Sequence, residues 1–365
     1  MQISEIIRCL EELAPRSYQE SYDNAGLLTG RPEWELSGVL LTLDSTEEVV
    51  DEAIAQHCNL IVAHHPIIFR GLKSLTGCNY VERTVIKALK NDVALYAAHT
   101  NLDNVYQGVN NMIAERLGLQ QRHILSPLRN QLKKLYTFVP QAHAGTLRDA
   151  LFSAGAGHIG GYSECSFNTE GAGTYKAGEN TQPFTGSIGE RHTEAETRIE
   201  VIFPAYLENK VVRSLLQHHP YEEVAYDIVS LDNEFATVGA GMVGELTAAM
   251  DEMAFLHFLK DRMQTDCIRY TRLLGRPVKR VAICGGAGSF LLPAAIRAGA
   301  DVFVSADFKY HEFFDADNQI LIADIGHYES EQFTIDLFYH VLSEKFPNFA
   351  PLKSQIRTNP IKYLH

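Results

Sequence analysis

Histidine and carboxylate side chains that could hold a metal ion follow several apolar segments of this chain. His64 and His65 come directly after Leu-Ile-Val-Ala, and Asp103 lies shortly after Val-Ala-Leu-Tyr-Ala-Ala. His327 and Glu331 follow Ile-Leu-Ile-Ala-Asp, and at this spacing two side chains share one face of a helix. Imidazole nitrogens combined with carboxylate oxygens suit zinc, iron(II), manganese or cobalt. The residue types therefore predict a metal site.

The number of these ligands favours two ions over one. A single structural zinc needs four ligands, whereas a carboxylate can bridge two ions and leave coordination positions open for water. Such a site could hydrolyse a polar substrate. The alternative is that the paired histidines before Pro66 only end a strand in a surface loop. Glu329 also competes with Glu331 as the partner of His327, and only the i+4 spacing favours Glu331.

The tripeptide His-His-Pro occurs a second time, at His218, His219 and Pro220. Here it closes the amphipathic segment VVRSLLQHH, where polar side chains suit the C-terminal end of a helix and proline stops it. No carboxylate follows at ligand spacing, although Glu222 and Glu223 are close in sequence. We therefore expect a helix end here and no metal site.

Other polar residues are candidates for the surroundings of the five ligands. His99 and His311 lie at or near strand ends and could orient ligands or shuttle protons. Asp44 could reach the same region, or it could be the N-cap of the helix that follows it. Asp23 and Asn24 could either line the site or be satisfied buried polar groups. The sequence does not assign a catalytic residue among them.

A glycine-rich segment, GGAGS at residues 285–289, follows the apolar run VKRVAIC. We expect it to open a helix, where backbone N–H groups could contact a substrate phosphate. The segment lacks the third glycine of the dinucleotide fingerprint, and no Lys-Ser or Lys-Thr completes a P-loop. It therefore predicts no nucleotide cofactor. Cys284, just before it, is expected to fill a buried strand rather than act as a nucleophile.

The candidate ligands are placed by a layout of strands and helices that occurs twice. Apolar runs, each followed by a helical segment, are predicted as strands at 39–43, 60–63, 93–99, 278–284, 301–307 and 318–327. The segment KYHEFFDA is predicted to be helical. Continuous apolar strands that alternate with helices are typical of a parallel sheet covered on both faces, with all carboxyl ends at one edge. The two halves share this pattern but no visible residue-by-residue identity.

The segment between the two halves follows a different pattern. Residues 130–235 read as β-α-β-β-α-β, with a long loop rich in Gly, Ser and Thr, which is typical of a ferredoxin-like α+β unit. We therefore predict an α/β fold with two domains. A discontinuous metal-binding core comprises residues 1–129 plus 236–365, and a ferredoxin-like domain at 130–235 is inserted into it.

Composition restricts the class of protein. The chain has 365 residues, of which 45% are hydrophobic, and a formal net charge of −13. This charge argues against broad binding to nucleic acids or to anionic membranes, both of which need a basic surface. The six cysteines are scattered without a CxxC pair, which favours reduced thiols. No apolar run is long enough for a membrane span and no secretory signal is visible, so we expect a cytoplasmic protein.

Several of these segments together resemble one known family. The motifs YDNAGL, AHHPIIF, AHTNLDN, VAICGGAGS, KYHE and DIGHYESE occur in this order, as do HIGGYSECSF and HPYEEVAYDI between them. They are similar to those of the GTP cyclohydrolase 1 type 2 homologues, also called Ngg-interacting-factor-three-like proteins. The resemblance covers essentially the whole chain, including the predicted insertion, and corresponds to the long form of the family.

The resemblance implies a two-metal site and a particular assembly. The implied ligands are His64, His65, Asp103, His327 and Glu331, in a ring-shaped homohexamer whose sites face the interior. The insertion is similar to the trimer-forming ferredoxin-like domains of nitrogen-signalling and copper-tolerance proteins. We therefore expect a metal-dependent hydrolase of a small phosphorylated or nucleotide-like substrate. The alternative is a non-enzymatic ring that holds metal or engages a protein partner.

Overall fold

The computed structural model describes residues 1–364 and divides the chain into two compact units. Unit 1 comprises Met1–Pro127 and Thr237–His365, and unit 2 comprises Leu128–Ala236. Within the described part of the chain, no helix combines the length and the apolar composition needed to cross a membrane.

Residues 1–364 form both strands and helices. In chain order the strands are β1 (Gly26–Thr29), β2 (Val39–Asp44), β3 (Leu60–His65), β4 (Ala94–Ala97), β5 (Gln120–Arg129), β6 (Leu132–Pro140), β7 (Phe167–Lys176), β8 (Arg191–Pro204), β9 (Tyr226–Leu231), β10 (Glu234–Met250), β11 (Arg269–Tyr270), β12 (Val278–Ala287), β13 (Val302–Ala306), β14 (Leu321–Asp324) and β15 (Leu352–Lys353). The α-helices are α1 (Ile3–Leu13), α2 (Glu47–Ala55), α3 (Tyr80–Lys90), α4 (Thr100–Asp103), α5 (Val109–Arg116), α6 (Ala144–Ser153), α7 (Glu208–His218), α8 (Glu252–Met263), α9 (Leu292–Arg297), α10 (His327–Glu331) and α11 (Thr334–Lys345).

Unit 1 contains two sheets, each with a parallel centre, rather than one continuous parallel sheet. The first has the order β1-β4-β3-β2-β15, in which β1 is antiparallel to β4 and the remaining neighbours are parallel. The second has the order β11-β14-β13-β12-β10-β5, with β12, β13 and β14 parallel. In this second sheet, β11 is antiparallel to β14 and β10 is antiparallel to β12. The fold is therefore α/β, with mixed sheets.

The predicted duplication is visible in the strand order. In both sheets three successive strands run parallel, and a short strand that precedes them in sequence pairs antiparallel with the last of the three. Strands β2, β3 and β4 are buried along nearly their whole length, which is why they read as continuous apolar runs rather than as alternating ones. Helices α2 and α3 contact these strands and each other.

Local signals explain where the helices around the first sheet begin. The Thr46 side chain accepts a hydrogen bond from the Val49 N–H and caps α2, with Glu47 and Glu48 in the first turn. Acidic side chains in the first turn are favoured by the helix dipole. Asn79 caps α3 in the same way by accepting from the Glu82 N–H. The proposed N-cap role of Asp44 is therefore wrong, because Thr46 occupies that position.

The glycine-rich segment 285–289 differs from its prediction. Strand β12 continues to Ala287, a 3₁₀ turn spans Ser289–Leu291, and α9 begins only at Leu292. The glycines therefore end a strand and do not open a helix. The predicted helix KYHEFFDA is also different, since Tyr310–Ala316 forms a 3₁₀ helix.

Unit 2 is one antiparallel sheet with two helices. Its elements follow the order β6-α6-β7-β8-α7-β9, and its strands lie in the spatial order β7-β8-β6-β9 with antiparallel neighbours. Helices α6 and α7 contact each other, and their apolar residues share a core with alternate residues of β6 and β8 such as Val139 and Ile199. Phe138 and Arg198 alternate with these residues and lie on the opposite face of the sheet.

Candidate metal centre

The five predicted ligand residues lie at the ends of strands or helices in unit 1. His64 and His65 end β3, and Asp103 ends α4, just after β4. His327 and Glu331 begin and end α10, which follows β14. Parallel strands direct their carboxyl ends to one edge, and here the edges of the two sheets contribute to one cluster.

One side of this cluster consists of three groups that face one another without hydrogen bonds. His64 Nε2 lies 3.6 Å from Asp103 Oδ1 and 3.6 Å from Glu331 Oε1. His64 is fully buried, and among the described residues neither its Nε2 nor Asp103 Oδ1 has a hydrogen-bond partner. His64 Nδ1 donates to the Ala98 carbonyl at 2.8 Å, so Nε2 is the ring nitrogen that faces the two carboxylates. Buried polar atoms left in this state are expected where an ion belongs.

The other side of the cluster is held by the second oxygen of Glu331. Glu331 Oε2 lies 2.9 Å from His65 Nε2 and 3.1 Å from His327 Nε2, and the two imidazole nitrogens are 3.3 Å apart. Glu331 thus directs one oxygen to each group of ligand atoms, as a bridging carboxylate does. Ligand atoms of His64, His65 and Glu331 all lie within 4.8 Å of one another, so these three residues could hold a metal ion.

Carboxylates orient the two histidines on the Glu331 Oε2 side. His65 Nδ1 donates to Asp44 Oδ1 at 2.7 Å, and His327 Nδ1 donates to Asp307 Oδ2 at 2.7 Å. These bonds leave both Nε2 atoms facing the cluster, the arrangement found around metal-ligating histidines. Asp44 was among the candidates from sequence, whereas Asp307 was missed. Its position directly after β13 was the signal that could have identified it.

His99 lies beside the cluster and is paired with a buried carboxylate. Its ring centroid is 5.4 Å from that of His64 and 5.5 Å from that of His65. His99 Nδ1 donates to Asp23 Oδ1 at 2.8 Å, and Asp23 Oδ2 accepts from the backbone and hydroxyl of Thr100. Although burial opposes ionisation of Asp23, these hydrogen bonds lower its pKa to about 2. Asp23 is therefore an anion that fixes the orientation of His99.

Three other candidates do not face the ligand cluster. His311 is exposed, and its ring contacts Tyr310 and Phe314 because the 3₁₀ helix turns it away. The Asn24 side chain donates to the Ile68 carbonyl. Glu329 is buried, where it accepts from the Asn359 side chain at 2.8 Å, so Glu331 is the carboxylate that meets His327.

The close packing of charged groups shifts their pKa values in opposite directions. Burial and then repulsion from Glu331 raise the pKa of Asp103 to about 8. Burial would also raise the pKa of Glu331, but His327 and His64 hold it well below its ordinary value. The attraction of Glu331 raises the pKa of His327 to about 11. Burial lowers the pKa of His65, but its hydrogen bonds to Asp44 and Glu331 outweigh this and raise it to about 9. Without metal, protons on these groups balance the carboxylate charge.

The glycines of the 285–289 segment make room for the cluster. A Cβ atom on Gly286 would lie 2.4 Å from Glu331 Oε1, and Gly286 has φ +62°. Both features require glycine. The Gly285 N–H donates to Asn110 Oδ1 and the Gly286 N–H donates to Ser330 Oγ, so these two amides are not free for a phosphate. Their role is close approach of the backbone rather than phosphate binding.

The cluster lies at the wall of a cavity that could admit a small substrate. The cavity has a volume of 390 Å³, within the usual range for small-molecule sites. Its wall includes four of the five predicted ligands, together with His99 and the aromatic side chains of Tyr22, Phe69 and Phe290.

A family model and several curated proteins match this sequence over most or nearly all of its length. The family model described as Duf34/NIF3 (NGG1p interacting factor 3) matches residues 1–360. A protein of Bacillus subtilis named GTP cyclohydrolase 1 type 2 homolog is 41% identical over 326 residues, covering 89% of this chain and 87% of the relative. A protein of the same name from Halalkalibacterium halodurans is 39% identical over 364 residues, covering 98% of each.

Solved structures of related proteins have a similar fold over the whole chain. A Bacillus cereus protein related to NIF3 is 38% identical and superposes with a TM-score of 0.88, covering 100% of this chain and 99% of that one. A Staphylococcus aureus protein is 31% identical with a TM-score of 0.79 and the same coverage. Taken with the family match over residues 1–360, these similarities place the chain in the Duf34/NIF3 family.

Proposed function

We propose that the chain is a dinuclear-metal-binding protein. His64 Nε2, Asp103 Oδ1 and Glu331 Oε1 would hold one ion, and His65 Nε2, His327 Nε2 and Glu331 Oε2 would hold the other. The observation that carries this proposal is that His64 Nε2 faces both Asp103 Oδ1 and Glu331 Oε1, while neither His64 Nε2 nor Asp103 Oδ1 has a hydrogen-bond partner among the described residues. Each group supplies nitrogen and oxygen, which suits zinc, iron or manganese.

We further propose that the site is that of a metal-dependent hydrolase. When bound, two divalent ions supply Lewis acidity and lower the pKa of water. The chain itself would contribute the cavity beside the cluster and His99, whose pairing with Asp23 orients it for proton transfer. The name of the curated relatives, GTP cyclohydrolase 1 type 2 homolog, supports a small phosphorylated or nucleotide-like substrate.

Elemental analysis paired with an activity screen tests both parts of this proposal. We expect protein purified without added metal to contain two ions per chain and to hydrolyse a member of a panel of nucleotides and phosphomonoesters. The Asp103→Ala variant should bind one ion fewer per chain and should no longer hydrolyse the substrate. The matched control is His218→Ala, in unit 2, because His218 is exposed and should affect neither.

Two outcomes would contradict the proposal. Full turnover by metal-free protein would reject a metal-dependent reaction. Two bound ions without turnover on any substrate would instead favour a scaffold that holds metal.

We also propose that the chain forms the homohexamer that the family resemblance implies. Native mass spectrometry of the same samples tests this proposal.

A further inference from the structure

Unit 2 contains a cavity of its own, distant in sequence from the ligand cluster. It has a volume of 610 Å³ and lies between β7, β8 and the segments 177–184 and 221–225. Phe138 and Arg198 line it, so it opens on the face of the sheet away from α6 and α7. Its volume is that of a small-molecule site.

A buried carboxylate without a cationic partner lines this cavity. Glu196 is 8% exposed, and its Oε1 accepts a hydrogen bond from the Tyr221 hydroxyl at 2.7 Å. Among residues 1–364 no ion pair involves Glu196. The Arg198 guanidinium, two residues along the strand, pairs with Glu200 at 3.1 Å instead. Removing a carboxylate from water without a counter-charge is costly, so a cation is the group that this position lacks.

Aromatic rings line the same cavity. The Tyr221 ring centroid lies 6.0 Å from that of Tyr175 and 6.2 Å from that of Phe184, and all three side chains contribute to the wall. Aromatic faces attract cations through the charge distribution of the ring, and most strongly where water is excluded. Burial and then the hydrogen bond to Glu196 raise the pKa of Tyr221, so this phenol stays neutral and donates its proton.

The backbone beside the carboxylate is also open. A Cβ atom on Gly173 would lie 2.0 Å from Glu196 Oε2, so any larger residue would displace the carboxylate. Gly171, Ala172 and Gly173 all line the cavity. Gly173 thus lets the carboxylate lie close to the backbone of β7, and a Cβ atom on Gly171 would meet nothing within 4 Å, so the cavity wall is open there.

We propose that the cavity of unit 2 binds a small organic ammonium ion. The ammonium group would contact Glu196 Oε2, and its apolar part would pack against Tyr175, Phe184 and Tyr221. A neutral ligand of the same size would leave the carboxylate without a counter-charge. This proposal is independent of the metal centre, because no residue of one site belongs to the other.

Calorimetric titration of the full chain tests this proposal. The probes are n-butylammonium chloride and the neutral 1-butanol, which has the same number of heavy atoms. We expect the ammonium ion to bind at least ~10-fold more tightly than the alcohol, since only the cation pairs with the buried carboxylate. Glu196→Gln keeps the shape and an acceptor for Tyr221, and it should weaken ammonium binding at least ~10-fold.

Two further variants make the result decisive. Tyr221→Phe keeps the ring and the charge but removes the hydroxyl, so binding should weaken about 3-fold or more even if Glu196→Gln does not fold. Glu170→Gln is the matched control, because it removes the same charge from an exposed residue of the cavity wall and should change binding less than ~2-fold. Equal binding of amine and alcohol would overturn the proposal. So would equal losses in Glu170→Gln and Glu196→Gln, or no binding of the ammonium ion.

Discussion

The two His-His-Pro segments have the same sequence and different hydrogen bonding. In unit 1, His64 uses Nδ1 to donate to a backbone carbonyl and leaves Nε2 without a partner. In unit 2, His219 uses both nitrogens, because Nε2 donates to the Phe138 carbonyl at 2.9 Å and Nδ1 accepts from the Tyr221 N–H at 3.1 Å. Burial lowers the pKa of His219, so it stays neutral. Among the described residues, the pair in unit 1 therefore has a ring nitrogen without a hydrogen-bond partner, whereas both ring nitrogens of His219 are used.

The surroundings account for this difference. The segment in unit 1 ends a buried parallel strand, where side chains from another sheet arrive. The segment in unit 2 ends α7 at His218, as the sequence predicted, and His218 itself only contacts the Ser214 carbonyl one turn earlier. A histidine pair is therefore informative about metal binding only together with the partners that the fold brings to it.

Substitution of Glu331 should have the largest effect on metal binding in unit 1. Glu331→Gln removes the charge shared by both proposed ions, so we expect loss of both and an affinity more than ~100-fold lower. Plasma mass spectrometry of the purified variant measures this. Glu329→Gln is the matched control on the same helix, because Glu329 bonds to Asn359 and not to the cluster. A Glu331→Gln protein with its full metal content would contradict the assignment.

Equivalent substitutions in the two histidine pairs should affect different properties. His64→Ala should lose one ion, because it removes the Nε2 atom that faces both carboxylates, and it also leaves the Ala98 carbonyl without its donor. His219→Ala should keep the metal but lose about 1–3 kcal/mol in the free energy of unfolding, since two backbone groups lose their partners. Metal analysis and urea unfolding of both variants separate the two effects. Equal metal loss in both would remove the distinction between the segments.

Substitution of Asp44, which orients His65, should lower metal affinity less than substitution of a ligand residue. Asp44→Asn retains size but loses the charge that holds His65 Nδ1–H, so we expect metal affinity to fall about 10- to 100-fold. Competition with a chelator of known affinity measures the change. Glu48→Gln, a nearby acid in the first turn of α2, serves as the control and should bind metal normally.

The effect of pH should be the most gradual. Without metal, His65 has a pKa raised to about 9 and His327 a pKa raised to about 11, so both must release protons to bind an ion. Metal affinity should therefore rise between about pH 6 and about pH 9, with proton release visible by calorimetry in buffers of different ionisation enthalpy.

His65 and His327 also determine how the stability of the metal-free protein changes with pH. Their raised pKa values stabilise the metal-free protein below the unfolded histidine value of ~6.5. This contribution is lost as the pH rises through about 9 and about 11. The Tm difference between metal-loaded and metal-free protein should therefore widen with increasing pH. A pH-independent affinity would show that these nitrogens are not ligands.

The sequence pattern predicted part of the cluster. His64 and Asp103 follow neighbouring parallel strands of the first sheet, so their convergence at one edge follows from the pattern. Glu331 follows a strand of the second sheet, so its contact with them depends on how the two sheets pack. The alternation of strands and helices likewise predicted the α/β class. Neither inference needs the orientation of any single side chain.

The pattern of strands and helices does not predict the direction of a side chain or the course of irregular backbone. His311 follows a strand too, but it lies on a 3₁₀ helix that leaves it exposed. The sequence left a phosphate contact open for the segment that contains Gly286, because the approach of Glu331, which is distant in sequence, leaves no local signal. Two partners from near the C-terminal end, Thr358 on Asp44 and Asn359 on Glu329, were also missed for this reason.

The sequence separation within the cluster bears on when it can assemble during synthesis. His65 and Glu331 meet across 266 positions, and Thr358, which supports the His65 partner Asp44, comes later still. During translation the first half of the ligands leaves the ribosome long before the second, while all of unit 2 is made in between. A nascent chain therefore displays two adjacent histidines without Glu331. Loading of the two proposed ions would consequently follow synthesis of the C-terminal third.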